Sequence, residues 1–279
     1  MMESATESLL AGSSLEQFTT LLYRLTGMKF GEKKRYYLER RVTERMKRTA
    51  TTDIVRYLYL LEHDPHERQL LINAVTINET YFLREDHQLA ALADDILPAI
   101  AAKKLPGDLI RIWSLPCSTG EEAYSIALWL LERWPLVDAY NVEIIGSDID
   151  THALDAAREG YYSARSLGRL PEEMLSAYFE QEHNHRRRIV QDLRESVLFT
   201  QVNLNDCASV ASQGGFDIIL CRNLLIYFDE ASRAEAAQNL HEALLPGGYL
   251  VLGHSESMAR IDERFDLVRL DRAIVYRRR

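Results

Sequence analysis

The chain has two textures. Up to about residue 104, apolar positions recur at three- and four-residue spacing, the period of helices with one buried face. Beyond residue 108, short continuous apolar runs alternate with helical stretches, as in parallel strands buried on both sides. Ser14-Leu15-Glu16-Gln17 fits a capping box, which predicts a helix from about Leu15 to Thr26 that Gly27 ends. A second helix runs from about Glu32 to Arg48, with Leu38, Val42 and Met46 facing inward. Thr52-Asp53 caps a third, to about Glu62, and Asp64-Pro65 starts a fourth. Asn78 to Glu85 breaks the pattern, and a long helix from about Asp86 to Lys103 follows, kinked at Pro98. Leu105-Pro106-Gly107-Asp108 is the clearest linker signal. The boundary is placed there: a helical domain over 1–104 and an α/β domain over 105–279.

In the second domain, strand 109–114 leads to helix 121–133, and strand 142–147 leads to helix 151–158. Residues 160–200 differ. A short helix, Pro171 to Tyr178, and three candidate strands near Tyr178–Gln181, Arg188–Asp192 and Val197–Gln201 predict a small antiparallel insertion. The alternation resumes with Phe216–Cys221, a helix over 230–244 and strand Tyr249–Gly253, then a terminal pair, Phe265–Leu270 and Ala273–Arg277. The predicted class is α/β: a small all-helical N-terminal domain, then a doubly wound domain with a small antiparallel β-subdomain inserted.

The first strand breaks at Pro116 and turns through Cys117-Ser118-Thr119-Gly120 into a helix opening with Glu121-Glu122. A phosphate-binding loop would place Lys or bare amides there, so a P-loop is excluded. Carboxylates favour a ligand that is cationic or rich in hydroxyls. Asp148 ends the second strand, where an acid can bond a ribose diol; the other reading has Asp148 and Asp150 capping the next helix. Taken with the acidic first loop, the pattern suits a nucleoside with a positively charged tail, which describes S-adenosylmethionine. Arg222-Asn223 ends a third buried strand, again where open α/β sheets bind ligands.

Composition narrows the setting. A chain of 279 residues, 47% hydrophobic and 27% charged, can build one large or two ordinary cores. No apolar stretch reaches the roughly 18 residues of a bilayer span, and Met1 to Ser14 lacks the pattern of a signal peptide. Three widely spaced cysteines suggest neither disulfides nor zinc, and His183 with His185 reads as a polar hairpin tip, so no metal is expected. A cytoplasmic location is expected. The net charge of −9 argues against nucleic acid as a partner. Lys33 to Arg48 nevertheless holds eight basic and two acidic residues, +6 locally, which leaves −15 on the rest. Lys33, Arg40 and Lys47 are seven apart, flanked by Arg41 and Arg48. They form either a solvated face or a surface for an anionic partner.

These stretches resemble the chemotaxis receptor methyltransferases, the CheR family, over nearly the whole length. The resemblance rests on Asn78–Glu85, Trp113–Ile126, Ser147–Asp150 with Gly160-Tyr161-Tyr162, Asn203-Leu204, Cys221–Asp229, and Pro246-Gly247-Gly248 with Gly253-His254-Ser255-Glu256. Phe82-Leu83 stands where the family has two phenylalanines, and Leu115-Pro116 replaces small residues. The resemblance implies a methyl transfer from S-adenosylmethionine, leaving S-adenosylhomocysteine, to glutamate side chains on cytoplasmic helices of bacterial chemoreceptors. It implies a monomer that does not insert into the membrane. It implies cofactor contacts at Asn78, Thr80, Arg84, Glu122, Asp148, Asn203, Leu204, Arg222 and Asn223, and receptor contacts along the basic second helix. Arg84 and Arg222 would orient carboxylates; Tyr227 either directs its hydroxyl to the reacting centre or packs as a core aromatic. Some family members bind a receptor C-terminal peptide at a glycine-containing loop. The equivalent hairpin here, Gln181 to Arg188, is short and glycine-free, so tether-independent recognition is expected. Two other readings are a methyltransferase for a small carboxylic acid and a catalytically silent cofactor-sensing scaffold.

Overall fold

A computed structural model describes residues 13–31, 34–181 and 183–279. It comprises two compact units, one of residues 1–77 with 227–232, the other of residues 78–226 with 233–279. The division falls at Ile77/Asn78, not at the linker near 104/105. Phe82, Leu83, Leu89, Leu92, Leu97 and Ile100 share a buried core with the strand residues Ile110 and Ile112. A helical period shows that a face is buried but not which core buries it.

The helical unit holds α1 (Ser13–Thr26), α2 (Arg35–Arg48), α3 (Ile54–His63) and α4 (Pro65–Val75). Leu38, Val42 and Met46 are buried as predicted, with Phe18, Leu22, Tyr57, Leu61 and Leu71. Asp53 caps α3 by accepting from the Arg56 amide (2.9 Å), and Asp64 caps α4 from the His66 amide (2.8 Å). Gly27 ends α1 in the left-handed region at φ +69°. Arg45 does not belong to the solvent face of α2. It is buried and pairs with buried Glu67, which also accepts from Tyr57 Oη (2.7 Å). Burial first, then the Glu67 hydrogen bond, push the Tyr57 hydroxyl well up. In the 227–232 segment, Phe228 bridges to Met28, Tyr227 O accepts from the Lys29 amide (2.8 Å), and Asp229 accepts from Tyr23 Oη (3.0 Å).

The second unit opens with α5 (Asp86–Ala91) and α6 (Leu97–Ala101), joined by a π-helical turn at Leu92–Ile96. The single long helix expected here is thus interrupted just before Pro98, where the proline lacks the amide needed to continue the ladder. Its seven-stranded sheet has the order β5-β2-β1-β6-β7-β9-β8. The strands are β1 (Leu109–Ser114), β2 (Asn141–Asp148), β5 (Val197–Gln201), β6 (Phe216–Cys221), β7 (Leu244–Leu252), β8 (Phe265–Arg269) and β9 (Ile274–Arg278). β5, β2, β1, β6 and β7 are parallel neighbours; β9 runs antiparallel to β7. Helices α7 (Glu121–Arg133) and α8 (Thr151–Glu159) follow β1 and β2.

The inserted subdomain is confirmed in part. β3 (Tyr161–Ser163) pairs antiparallel with β4 (Arg186–Arg188), and Phe179 bridges Ile189. Val197–Gln201, read as its third strand, is instead β5 of the main sheet, in register with Ile144–Asp148. A five-residue apolar run carries no signal of its partner. Asn184 and His185 form a two-residue turn with both φ positive, and His183 and Arg186 exchange backbone hydrogen bonds across it (2.8 and 3.0 Å). This is the polar tip predicted for the two histidines. Among the described residues no group of three or more His, Cys, Asp or Glu is placed to hold a metal, and no helix is long and apolar enough to cross a membrane.

Candidate active site

From β1 the chain steps to β2 and then β5 on one side, and returns to β6 on the other side of β1. The strand order reverses at β1/β6, and ligands of open α/β sheets bind outside the carboxyl ends at such a point. The backbone is unusual there. Leu83, Glu85, Ser118 and Asn223 all have φ between +49° and +60°, a region costly for residues other than glycine. Gly120, at φ +94°, starts α7; a Cβ there would meet Ala157 Cβ at 2.9 Å and Tyr162 Oη at 3.1 Å. The loop after β1 is stitched to β2, with the Cys117 amide donating to Ser147 O and the Ser118 amide to Asp148 Oδ2 (both 2.8 Å).

Asp148 is buried, and its other oxygen accepts from the Asp150 amide (2.9 Å). Burial outweighs these amides and lifts its pKa to about 6. The capping reading therefore holds for Asp150 alone, which accepts from the His152 and Ala153 amides at the start of α8. Asp150 also accepts from Asn78 Nδ2 (2.6 Å), and Asn78 Oδ1 accepts from Ser118 Oγ (3.3 Å). Asn78, the first loop and the second strand end are thus one hydrogen-bonded cluster.

A second cluster surrounds Arg222, whose side chain is 2% exposed. Its guanidinium meets Glu122 Oε2 (3.0 Å) and Glu85 Oε2 (3.5 Å), and donates to Arg84 O (2.5 Å). Glu122 Oε1 accepts from Ser114 Oγ (2.8 Å). Burial raises the Glu122 carboxyl despite Arg222. For Glu85 the balance is reversed: burial opposes, but the His254 hydrogen bond and Arg222 hold it below the usual range. Burial, with the fields of Asp148 and Glu122, pushes the Cys117 thiol well up, and burial with Glu256 and Glu122 does so for Cys221. Neither thiol is activated as a thiolate by these surroundings.

Of the residues expected to form the site, Asn78 and Asp148 lie in the first cluster, and Arg84, Glu122 and Arg222 in the second. Thr80 is half-buried in the loop between Asn78 and Arg84. Asn203 and Leu204 follow β5, where the Val202 amide bonds Asp148 O (3.1 Å); Leu204 O accepts from Asn239 Nδ2 (2.7 Å). Asn223 donates its amide to Glu256 Oε2 (2.7 Å). Tyr227 belongs to the helical unit, where Lys34 Nζ sits 4.3 Å from its ring centroid. On α2, Arg40 and Lys47 are exposed, Arg48 pairs with Glu44 (3.0 Å), and Arg41 is half-buried over the Tyr37 ring (5.2 Å). Lys33 lies outside the described residues.

Two further carboxylates organise the strand ends without a signal in the sequence. Glu85 holds Arg222, and Glu256 gathers the amides of Asn223, Gly253 (2.9 Å) and Ile226 (3.3 Å). A Cβ at Gly253 would come within 2.8 Å of both Asn223 Nδ2 and Glu256 Oε2. Both acids stand inside the stretches that carried the resemblance, but neither has a spacing that marks it.

Residues 78–274 match the CheR methyltransferase SAM-binding domain, and residues 13–76 match the CheR methyltransferase all-alpha domain. The chain belongs to the CheR methyltransferase family. A chemotaxis protein methyltransferase 2 of Vibrio cholerae is 45% identical over 93% of this chain and 91% of its own length. One of the same description from Pseudomonas aeruginosa is 37% identical, over 87% and 85%. A chemotaxis protein methyltransferase of Escherichia coli is 35% identical, over 92% and 89%. The matched halves meet at residues 76–78, where the two compact units divide.

S-adenosylmethionine is the family's cofactor, and the residues here fit it. The ligand carries a sulfonium, an ammonium, a carboxylate and a ribose diol. The site offers buried acids for the cations and hydroxyls and a buried guanidinium for the carboxylate. Arg222 Nε and Glu85 Oε2 are buried without hydrogen-bond partners, although Oε2 stands within ion-pair distance of the Arg222 guanidinium. An amino-acid zwitterion has the complementary groups.

Proposed function

We propose that this chain is a protein-glutamate O-methyltransferase that modifies glutamate side chains on the helices of bacterial chemoreceptors, without a receptor C-terminal tether. What carries this reading is the pairing of a buried acid–arginine site at the strand ends with CheR sequence in both units. S-adenosylmethionine, held by the residues named below, would supply an electrophilic methyl for a glutamate oxygen, with its sulfur leaving as a neutral thioether. A glutamate with a pKa of about 4.3 is already ionised near neutrality, so no residue here need act as a general base. The protein's contribution is positioning and a dry site, where well-oriented groups reach effective molarities on the order of 10⁵ M or more.

In this proposal Asn78, Thr80, Glu122, Asp148, Asn203, Leu204 and Asn223 hold the cofactor, and Arg84 and Arg222 orient carboxylates. Arg222 is already committed to Glu85 and Glu122, so it leaves the attacking oxygen's lone pairs available. Arg40 and Lys47, with Lys33, Arg41 and Arg48, form the receptor-facing set on the basic helix. The test is transfer of tritiated methyl to receptor-containing membranes, read as alkali-labile label. Label absent, or stable to alkali, removes the methyl-ester assignment. Single-turnover transfer by Tyr227→Phe separates its two roles: a loss of about tenfold or more marks a hydroxyl at the reacting centre, and full rate marks a packing ring under Lys34.

A further inference from the structure

The loop that carries Asn78, Thr80 and Arg84 also carries Tyr81, whose ring is half-buried. Two guanidiniums stand over that ring. Arg84 Cζ lies 5.8 Å from its centroid, and Arg169 Cζ, from the turn between α9 (Ala164–Leu167) and α10 (Glu172–Tyr178), lies 5.0 Å away. The quadrupole of a phenol ring attracts a cation to its face, and an exposed contact of this kind orients the guanidinium without neutralising it. Two positive charges therefore share one aromatic platform.

Their surroundings differ. Arg84 donates to Glu79 O (2.9 Å); its field opposes the burial that raises Glu122 and joins His254 and Arg222 in holding Glu85 down. Arg165, on the same surface, is matched by Glu79 at 3.7 Å. Arg169 is exposed, and among the described residues no carboxylate lies within salt-bridge distance of it. On a chain of net charge −9, an arginine held in place and left without a counter-ion calls for an external anion.

We propose that Arg169, seated on Tyr81 beside Arg84, is a carboxylate subsite that takes a second acidic side chain of the protein substrate, next to the glutamate being methylated. The inference rests on the protein-glutamate reading above. A guanidinium stacked on a ring keeps its edge N–H groups free, which suits bidentate binding of a carboxylate. On a helical substrate, residues three or four apart lie about 5–6 Å apart at Cβ, so one acid in the site places another within reach of its rim. The subsite reads an acidic neighbour and leaves the chemistry untouched.

The test uses the intact protein and two versions of a chemoreceptor signalling fragment: one with its native acids around the methylated glutamate, one with those neighbours changed to glutamine. Arg169→Ala is expected to raise KM for the acidic fragment about three- to tenfold with kcat unchanged, and to leave KM for the amide fragment as in wild type. Tyr81→Phe keeps the ring and should behave as wild type. Arg169→Lys should recover part of the difference, since the charge remains but the planar fork is lost. S-adenosylhomocysteine affinity, measured by calorimetry, should be the same in all four proteins. An equal KM change on both fragments, or none on either, overturns the subsite. Wild type that methylates neither fragment overturns the glutamate reading and the subsite with it, an outcome distinct from the first.

Discussion

Asp148 couples the two loops that meet at the strand ends, since it accepts from the Ser118 and Asp150 amides at once. Its pKa of about 6 gives that coupling a pH dependence. The sign follows from linkage. A carboxyl whose folded pKa is raised binds its proton more tightly when folded. Its stabilisation is complete below the unfolded value, near 3.8, and is lost as pH rises through about 6. At neutral pH the ionised group therefore costs about 3 kcal/mol, at roughly 1.4 kcal/mol per unit. Ligand binding should run the other way, because only the carboxylate accepts from both amides and a ribose hydroxyl. Between about pH 7.5 and about pH 5.5 the ligand-free melting temperature should rise from this group while S-adenosylhomocysteine affinity falls. Glu121 and Glu122, also raised by burial, act in the same direction on stability. In Asp148→Asn the affinity should be weaker by about 1–3 kcal/mol at neutral pH and nearly flat with pH. A wild-type affinity that does not change over the interval rules Asp148 out as the titrating group. Arg222 makes a second residue-scale case. Arg222→Ala would remove the cation between two half-buried carboxylates, so it should lower unfolding free energy by up to about 3 kcal/mol, and Arg222→Ala/Glu122→Gln should recover part of that. Denaturant titration without ligand reads this; an unchanged midpoint means Arg222 serves ligand alone. Asp148 and Arg222 were legible because they end apolar runs. Glu85 and Glu256 were not, because their partners lie 137 and 33 positions away in the chain, at Arg222 and Asn223.

At the scale of elements, pattern and partner separate. β1, β2 and β6 were legible as apolar runs that each end in polar residues. β5 is legible as a strand too, but a run of five fits an edge hairpin as well as the main sheet. The helix at residue 86 was likewise visible, and only its core was misassigned. Arg45 shows how charge and position separate on α2. It counts toward the +6 of the stretch from Lys33 to Arg48 but lies three after Val42, on the inward stripe with Leu38 and Met46. The hairpin gives an element-scale prediction. Its turn is closed by Asn184 and His185 with both backbones left-handed, and β4 is already paired with β3 on one side and bridged through Ile189 to Phe179 on the other. A tethered peptide adding by strand pairing needs an accommodating loop and a free edge. Titration calorimetry with a receptor C-terminal pentapeptide should therefore show no binding; a micromolar dissociation constant would overturn tether independence.

At the scale of the whole chain, charge is segregated: −9 overall, with the basic residues of α2 standing against an acidic remainder. The structure thins the basic set. Arg45 is buried, Arg35 pairs with Glu39 (3.0 Å), Arg48 with Glu44, and Arg41 rests on Tyr37. Arg40 and Lys47 remain exposed, seven residues apart. Seven residues of helix span about 10.5 Å at a rise of 1.5 Å per residue. Receptor coiled coils repeat one face at the same interval, so two helices side by side would bring acids into register with both cations. Each exposed pair is worth about 0–1 kcal/mol and is screened by salt. Their joint effect falls on encounter and orientation more than on affinity. Arg40→Glu/Lys47→Glu should thus raise KM for receptor at low ionic strength by about three- to tenfold and leave kcat and S-adenosylhomocysteine affinity unchanged. Wild-type KM should itself climb with salt, so that mutant and wild type converge near about 0.5 M, where the Debye length is only a few ångströms. Arg41 is better left unmutated, because its reversal would disturb packing against Tyr37 and confuse the readout. If the double mutant matches wild type at every salt concentration, α2 is a solvated face, and recognition must lie with the rim of the sheet domain around Arg169.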